Sequence, residues 1–87
     1  MKADEICDRY GHLQSGLSLK LLPADGDCEA TILIEGPSRA LHLLADLLMA
    51  VADEKENDGF GLGPRGAGSF HFSKTSEFGV YIHRLDE

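Results

Sequence analysis

The sequence is poor in basic residues, and this shortage limits the partners that the protein can bind. Lys and Arg number 8 against 15 Asp and Glu, which gives a formal net charge of −7 over 87 residues. Nucleic-acid binding draws most of its affinity from cations that neutralise phosphates, and an anionic membrane surface repels the same negative charge. We therefore expect neither nucleic acid nor membrane as a partner. The charge serves solubility in a small protein, and it would also speed the encounter with a basic protein.

Cysteines and long apolar runs are also scarce. The two cysteines, Cys7 and Cys28, fit no CxxC or zinc-ligand spacing. No apolar stretch is long enough to span a bilayer, and the opening stretch MKADEICDRYGHLQSG lacks the apolar core of a signal peptide. These features predict a cytoplasmic protein with reduced thiols, although the sequence is also compatible with a disulfide between the two cysteines.

What the sequence does contain predicts one folded domain over residues 1–87. Apolar residues make up 43% of the chain and charged residues 26%, the balance of a folded soluble protein. Residues 1–15 form a poorly defined N-terminal segment. Within it, the four-residue spacing of Ile6 and Tyr10 favours a short helix that ends at Gly11.

Two stretches with alternating apolar side chains predict a first β-hairpin. GLSLKLL spans residues 16–22 and CEATILIE spans residues 28–35, with turn residues between them. Their apolar faces are formed by Leu17, Leu19, Leu21, Cys28, Ala30, Ile32 and Ile34. Pairing Leu19 with Ile32 aligns the two faces around a loop at 24–27, whereas a slip of one residue would place them on opposite sides.

The stretch EGPSRALHLLADLLMAVADEKEN carries the strongest helix pattern. Gly36 suits the N-cap and Pro37 the first helical position, where its missing N–H is not needed. Apolar residues then recur at helical spacing and predict one buried stripe. The centre of that stripe is Leu41, Leu44, Leu48 and Val51, widened by Ala40, Leu43, Ala45, Leu47 and Ala52.

The glycine-rich stretch GFGLGPRGAGSF contains the letters G-x-G-x-x-G at Gly61, Gly63 and Gly66. A dinucleotide-binding loop needs a strand before it and a helix after it, so that the helix N-terminus faces the pyrophosphate. Here a helix precedes the motif and an extended segment follows it. We therefore expect no bound nucleotide or other cofactor, and interpret residues 59–68 as a glycine-rich connecting loop.

A second hairpin is predicted from SFHFS at residues 69–73 and FGVYIHRL at residues 78–85, which alternate around the turn KTSE. The order of elements is thus β-β-α-β-β. It predicts an α+β fold, in which one helix packs on the apolar face of a four-stranded, mainly antiparallel sheet.

The opposite sheet face is the candidate binding surface. His71, Tyr81 and His83 share it in this arrangement, Arg65 lies in the adjacent loop, and Tyr and Arg are common interface anchors. An acidic group follows the helix and could dock a basic protein: Glu54, Glu56 and Asp58. This face predicts a protein-binding domain without enzymatic activity, and the alternative is a homodimer with a structural or regulatory role.

A small hydrolase or metal protein is a weaker hypothesis. Two imidazoles across a hairpin need a third or fourth ligand, and neither His12 nor His42 is placed to supply one. No serine or cysteine stands in a recognisable nucleophile motif. We therefore expect no metal and no catalytic residues.

The second half of the chain resembles a known family. ILIEGPSRALHLLADLLMAVADE, a glycine-rich link, GSFHFS and FGVYIHRLDE together are similar to small immunity proteins of bacterial polymorphic toxin systems, most closely the family numbered thirty-two in that series. The likeness covers about residues 31–87. It implies a cytoplasmic antitoxin that blocks the active site or substrate groove of a cognate toxin, often a nuclease with a basic groove.

Overall fold

The computed structural model describes residues 3–10, 15–55, 58–66 and 68–85. Its elements, in chain order, are helix α1 (Ala3–Arg9), strands β1 (Ser18–Leu22) and β2 (Thr31–Glu35), helix α2 (Ser38–Asp53), strand β3 (Gly59–Leu62), one turn of 3₁₀ helix (Ser69–His71) and strand β4 (Val80–His83). The α+β class and the order β-β-α-β-β are confirmed. The short N-terminal helix is also present, although its expected end at Gly11 lies outside the described residues.

The strands form two antiparallel two-stranded sheets, β1–β2 and β3–β4, where we expected one four-stranded sheet. In the first sheet Leu19 lies opposite Ile34, two residues from the predicted partner. Because side chains alternate with a period of two, this shift keeps both apolar faces on the same side. The connection is accordingly longer than predicted, and paired backbone hydrogen bonds of 2.9 and 3.0 Å between Asp25 and Cys28 close its tip.

The third strand lies ten residues earlier in the chain than SFHFS, the segment that we predicted. Gly59–Leu62, expected to be part of a loop, forms β3, and Gly61 lies opposite Tyr81. The Tyr81 ring covers the glycine backbone, since a methyl group added at Gly61 would lie 2.8 Å from Cδ2 of that ring. An aromatic side chain on the neighbouring strand thus supplies the packing that glycine lacks.

SFHFS instead forms the 3₁₀ turn and a short contact with β1. The backbone N–H of Leu17 donates to the carbonyl of His71 at 2.9 Å, and Ser73 N–H donates to the carbonyl of Leu17 at 2.7 Å. Phe72 is buried, whereas Phe70 is exposed. The turn starts after Gly68, whose φ of 76° is a left-handed conformation that favours glycine.

Helix α2 is confirmed, but its buried stripe is rotated from the predicted one. It begins at Ser38, with Pro37 at the N-cap. Its buried residues are Ala40, Leu43, Leu44, Leu47, Ala50 and Val51, whereas Leu41 and Leu48, two centres of the predicted stripe, are exposed. The rotation has a physical cause: α1 packs against α2, with Ile6 in the core and the Tyr10 hydroxyl donating to Asp46 Oδ2 at 2.9 Å.

Candidate functional site

An open apolar groove lies between the first hairpin, helix α2 and the start of β4. Its volume is about 380 Å³. The residues that line it, called the apolar groove below, are Leu19, Ile32, Ile34, Leu44, Phe78, Gly79, Val80 and Tyr81. None of these residues carries a carboxylate, an imidazole or a basic group, so the groove presents carbon almost throughout.

The groove is open because the core covers Leu17 and Leu19 but leaves the apolar residues of β2 uncovered. Leu17 and Leu19 are buried, but Ile32 remains 53% exposed and Ile34 47% exposed. Leu41 and Leu48 lie one helical turn on either side of Leu44 and are exposed as well. The apolar surface therefore continues from the groove along the helix, which makes this surface the candidate interaction site.

Four of the predicted site residues gather at one end of the β3–β4 hairpin, close to the end of α2. His83 lies opposite Gly59 and Tyr81 opposite Gly61. The Asp58 carbonyl accepts from the backbone N–H of Arg84 at 2.8 Å, and the Glu54 carbonyl accepts from the Arg84 guanidinium at 2.8 Å. Tyr81 and His83 are both exposed on β4.

The structure does not bring the remaining predicted residues to this place. Arg65 is exposed in the turn after β3, beyond the opposite end of the hairpin. Glu56 lies outside the described residues. The prediction for His71 is wrong: the residue is buried in the 3₁₀ turn, because SFHFS packs against the edge of β1 and does not extend the second hairpin.

The buried imidazole of His71 contacts Ser15. Its Nδ1 lies 3.3 Å from the Ser15 hydroxyl oxygen, and burial lowers the pKa of His71 below its usual value. A Ser–His contact can serve nucleophilic catalysis, but Ser15 is fully buried. The contact therefore joins the N-terminal segment to the 3₁₀ turn, and it offers no nucleophile to a substrate.

Arg84 is a structural residue that sequence reasoning missed. Its Nη1 donates to the carbonyls of Val51 and Glu54, each at 2.8 Å. These carbonyls belong to the last turn and C-cap of α2, which have no partner within the helix. Arg84 thereby fixes β4 to the end of α2 and holds Glu54 beside Asp58; the only signal in the sequence is a single cation after the last strand.

Further chemical features are few in the described ranges. No group of three or more His, Cys, Asp or Glu side chains there is placed to hold a metal ion. In the same ranges, no helix combines the length and the apolar character needed to cross a membrane. Cys7 and Cys28 are both thiols.

No family model, curated protein or solved structure matches the chain. The resemblance to immunity proteins over residues 31–87 therefore stays a prediction.

Proposed function

We propose that this protein is a non-enzymatic binding protein that docks a basic protein partner in its apolar groove, in the manner of an immunity protein that docks its toxin. The observation that carries this proposal is the groove itself. Ile32, Ile34 and Tyr81 line it and are about half exposed or more. Burying them against a partner would release about 25 cal/mol per Å² of apolar surface.

The acidic charge of the protein supports a basic partner. Glu77 directly precedes Phe78 of the groove lining, and its side chain is exposed. Glu54 and Asp58 are two further acids, at the end of β4 that lies away from the groove. With a net charge of −7, this surface attracts a positively charged domain and raises the rate of encounter.

The groove favours binding over catalysis. A hydrolytic site needs a nucleophile, a general base or a metal beside the place where the substrate binds. The polar side-chain group among the lining residues is the Tyr81 hydroxyl. An apolar cleft on an acidic protein instead resembles the centre of a protein–protein interface, and the two thiols suit the reducing cytoplasm.

Two phenylalanines provide a matched test of this proposal. Phe78 lines the groove and is 40% exposed, whereas Phe70 is 51% exposed and lies outside the groove. Wild-type protein, Phe78→Ala and Phe70→Ala serve as baits in lysate of the source organism, at low and high salt. Captured proteins are quantified by mass spectrometry.

The expected result is a basic protein that wild-type and Phe70→Ala retain and that Phe78→Ala loses by at least about tenfold, as for a central anchor residue. High salt should reduce its capture because salt screens the attraction. Equal capture by both variants would place binding elsewhere on the surface. Enrichment of acidic proteins only would overturn the charge argument.

A further inference from the structure

Strand β2 has an unpaired backbone edge. Its hydrogen-bonding neighbour in the sheet is β1 alone, and no described residue outside β1 hydrogen-bonds to the backbone of residues 31–35. The opposite edge of β1, in contrast, is occupied by the segment from His71 to Phe78. We call the unpaired side of β2 the free edge.

The hydrogen bonds of β1 determine which groups of β2 reach the free edge. Leu17 and Leu19 direct their backbone N–H and C=O groups away from β2, to His71, Ser73, Ser76, Glu77 and Phe78. These directions alternate along a strand in an antiparallel ladder. The backbone N–H and C=O groups of Ser18, Lys20 and Leu22 therefore point towards β2. Their partners are Glu35, Leu33 and Thr31, so Ile32 and Ile34 present their N–H and C=O groups to the free edge.

An edge of this composition is suited to pairing with another strand. Natural proteins protect such edges with proline, lysine, a bulge or a covering element. β2 reads TILIE, with three apolar residues at its centre and neither proline nor lysine within it. Thr31 and Glu35 at its two ends are its polar residues.

We propose that two copies of this chain associate through their free edges, antiparallel about a two-fold axis at Leu33. In this register Ile32 of each copy lies opposite Ile34 of the other. These are the residues whose backbone groups face outwards, so each pair can exchange both of its hydrogen bonds. Leu33 of one copy lies opposite Leu33 of the other on the axis. The first hairpins of the two copies then form one four-stranded sheet.

The TILIE sequence supports a second copy as the occupant because it is self-complementary in this register. The apolar centre faces an apolar centre, and Glu35 faces Thr31, an uncharged residue. No two carboxylates within the strand stand directly opposite each other. Lys20 also lies 3.8 Å from Glu35 within the same chain and offsets its charge.

Leu33 provides a variant that separates this interface from the apolar groove. Its side chain lies on the sheet face opposite to Ile32 and Ile34, which line the groove. Leu33→Glu places a carboxylate opposite Lys20 in the same chain, which supports the hairpin. In the dimer it places two carboxylates against each other on the axis, which is unfavourable.

The test is the mass in solution over a range of concentrations, measured by sedimentation equilibrium. Wild-type protein and the control Met49→Glu, altered at an exposed site on α2 beside Arg9 and Asp46, should approach twice the chain mass of 9.4 kDa. Leu33→Glu should weaken association at least about tenfold. An equimolar mixture of Leu33→Glu and Leu33→Lys should restore it.

Salt distinguishes this association from capture of a basic partner. Two copies with a net charge of −7 each repel, so added salt should strengthen the dimer, whereas it weakens binding of a basic protein. A monomer at every concentration, or a dimer that Leu33→Glu leaves unchanged, would overturn the proposed edge pairing. Because Leu33 faces away from the groove, neither result would bear on capture through Phe78.

Discussion

The imidazole of His71 is held away from water between the N-terminal segment and the edge of β1. Burial penalises its charged form and lowers its pKa in the folded protein. In the unfolded chain the pKa returns to about 6.5. As the pH falls below that value, the unfolded state takes up a proton more readily than the folded state does, so acidification favours unfolding.

We therefore expect the free energy of unfolding to decrease as the pH falls below about 6.5, and His71→Asn to reduce this dependence. Asn keeps an acceptor in reach of the Ser15 hydroxyl but does not titrate. Urea unfolding at several pH values measures the slope. His83→Asn, at an exposed position on β4, should keep the wild-type slope; if it flattens the profile and His71→Asn does not, burial of His71 is not the cause.

At the scale of elements, the end of β3 approaches the start of β4 closely, and this approach depends on Gly79. A methyl group at this position would lie 2.5 Å from the Leu62 carbonyl oxygen and 2.8 Å from Gly63 Cα. Both neighbours are backbone atoms and cannot rotate away. The chain can therefore bring residues 63 and 79 together only if residue 79 has no side chain.

Gly79→Ala should lower the free energy of unfolding by about 1–3 kcal/mol, the range for added volume in a tightly packed site. Gly66→Ala is the matched control, since a methyl group there meets no atom within 4 Å. It should be neutral or stabilise by up to about 1 kcal/mol, because alanine restricts the unfolded chain. Chemical denaturation compares the two, and equal effects would contradict the close approach at Gly79.

Some elements could be predicted from the sequence and others could not, because only some of them carry a local pattern. α2 and the first hairpin carry their own periodicity, which needs no knowledge of distant residues. β3 could not be found in this way, because glycine disfavours strands and its cover, Tyr81, lies about twenty residues away. The buried face of α2 was misplaced because α1 packs on it, and that contact has no local signature.

For the whole molecule, the apolar residues fall into two sets with different roles. One set, centred on Leu43 and Leu47, is buried where α1, α2 and the sheets meet. The other set, in the apolar groove and along α2, remains half exposed. Sequence patterns identify both sets as apolar, but they cannot assign a residue to either one, because that depends on how far α2 extends over the hairpin.

The candidate site, too, could be predicted from the sequence only in part. The sequence placed Tyr81 and His83 on one face and the acids near the helix end, and the structure brings Glu54 and Asp58 to the same end of the hairpin. It placed Ile32 and Ile34 in the core, because their alternation with polar residues is that of a half-buried strand. They are exposed because the core packs on Leu17 and Leu19 and leaves β2 uncovered.

This division predicts that the groove can be made polar without loss of the fold. The double variant Ile32→Thr with Ile34→Thr keeps β-branched side chains that suit a strand, and both sites are already about half exposed. It should lower the free energy of unfolding by no more than about 1 kcal/mol. Leu47→Ala, at a fully buried site, should lower it by about 2–5 kcal/mol.

Urea unfolding of dilute protein measures both variants without a contribution from self-association. If the threonine pair costs as much as Leu47→Ala, Ile32 and Ile34 belong to the core of the monomer and the groove is not a docking surface. If the pair costs little, selection for the stability of the monomer cannot account for two exposed isoleucines beside Phe78 and Tyr81. A partner that buries them then accounts for their presence, since exposed apolar surface otherwise favours aggregation.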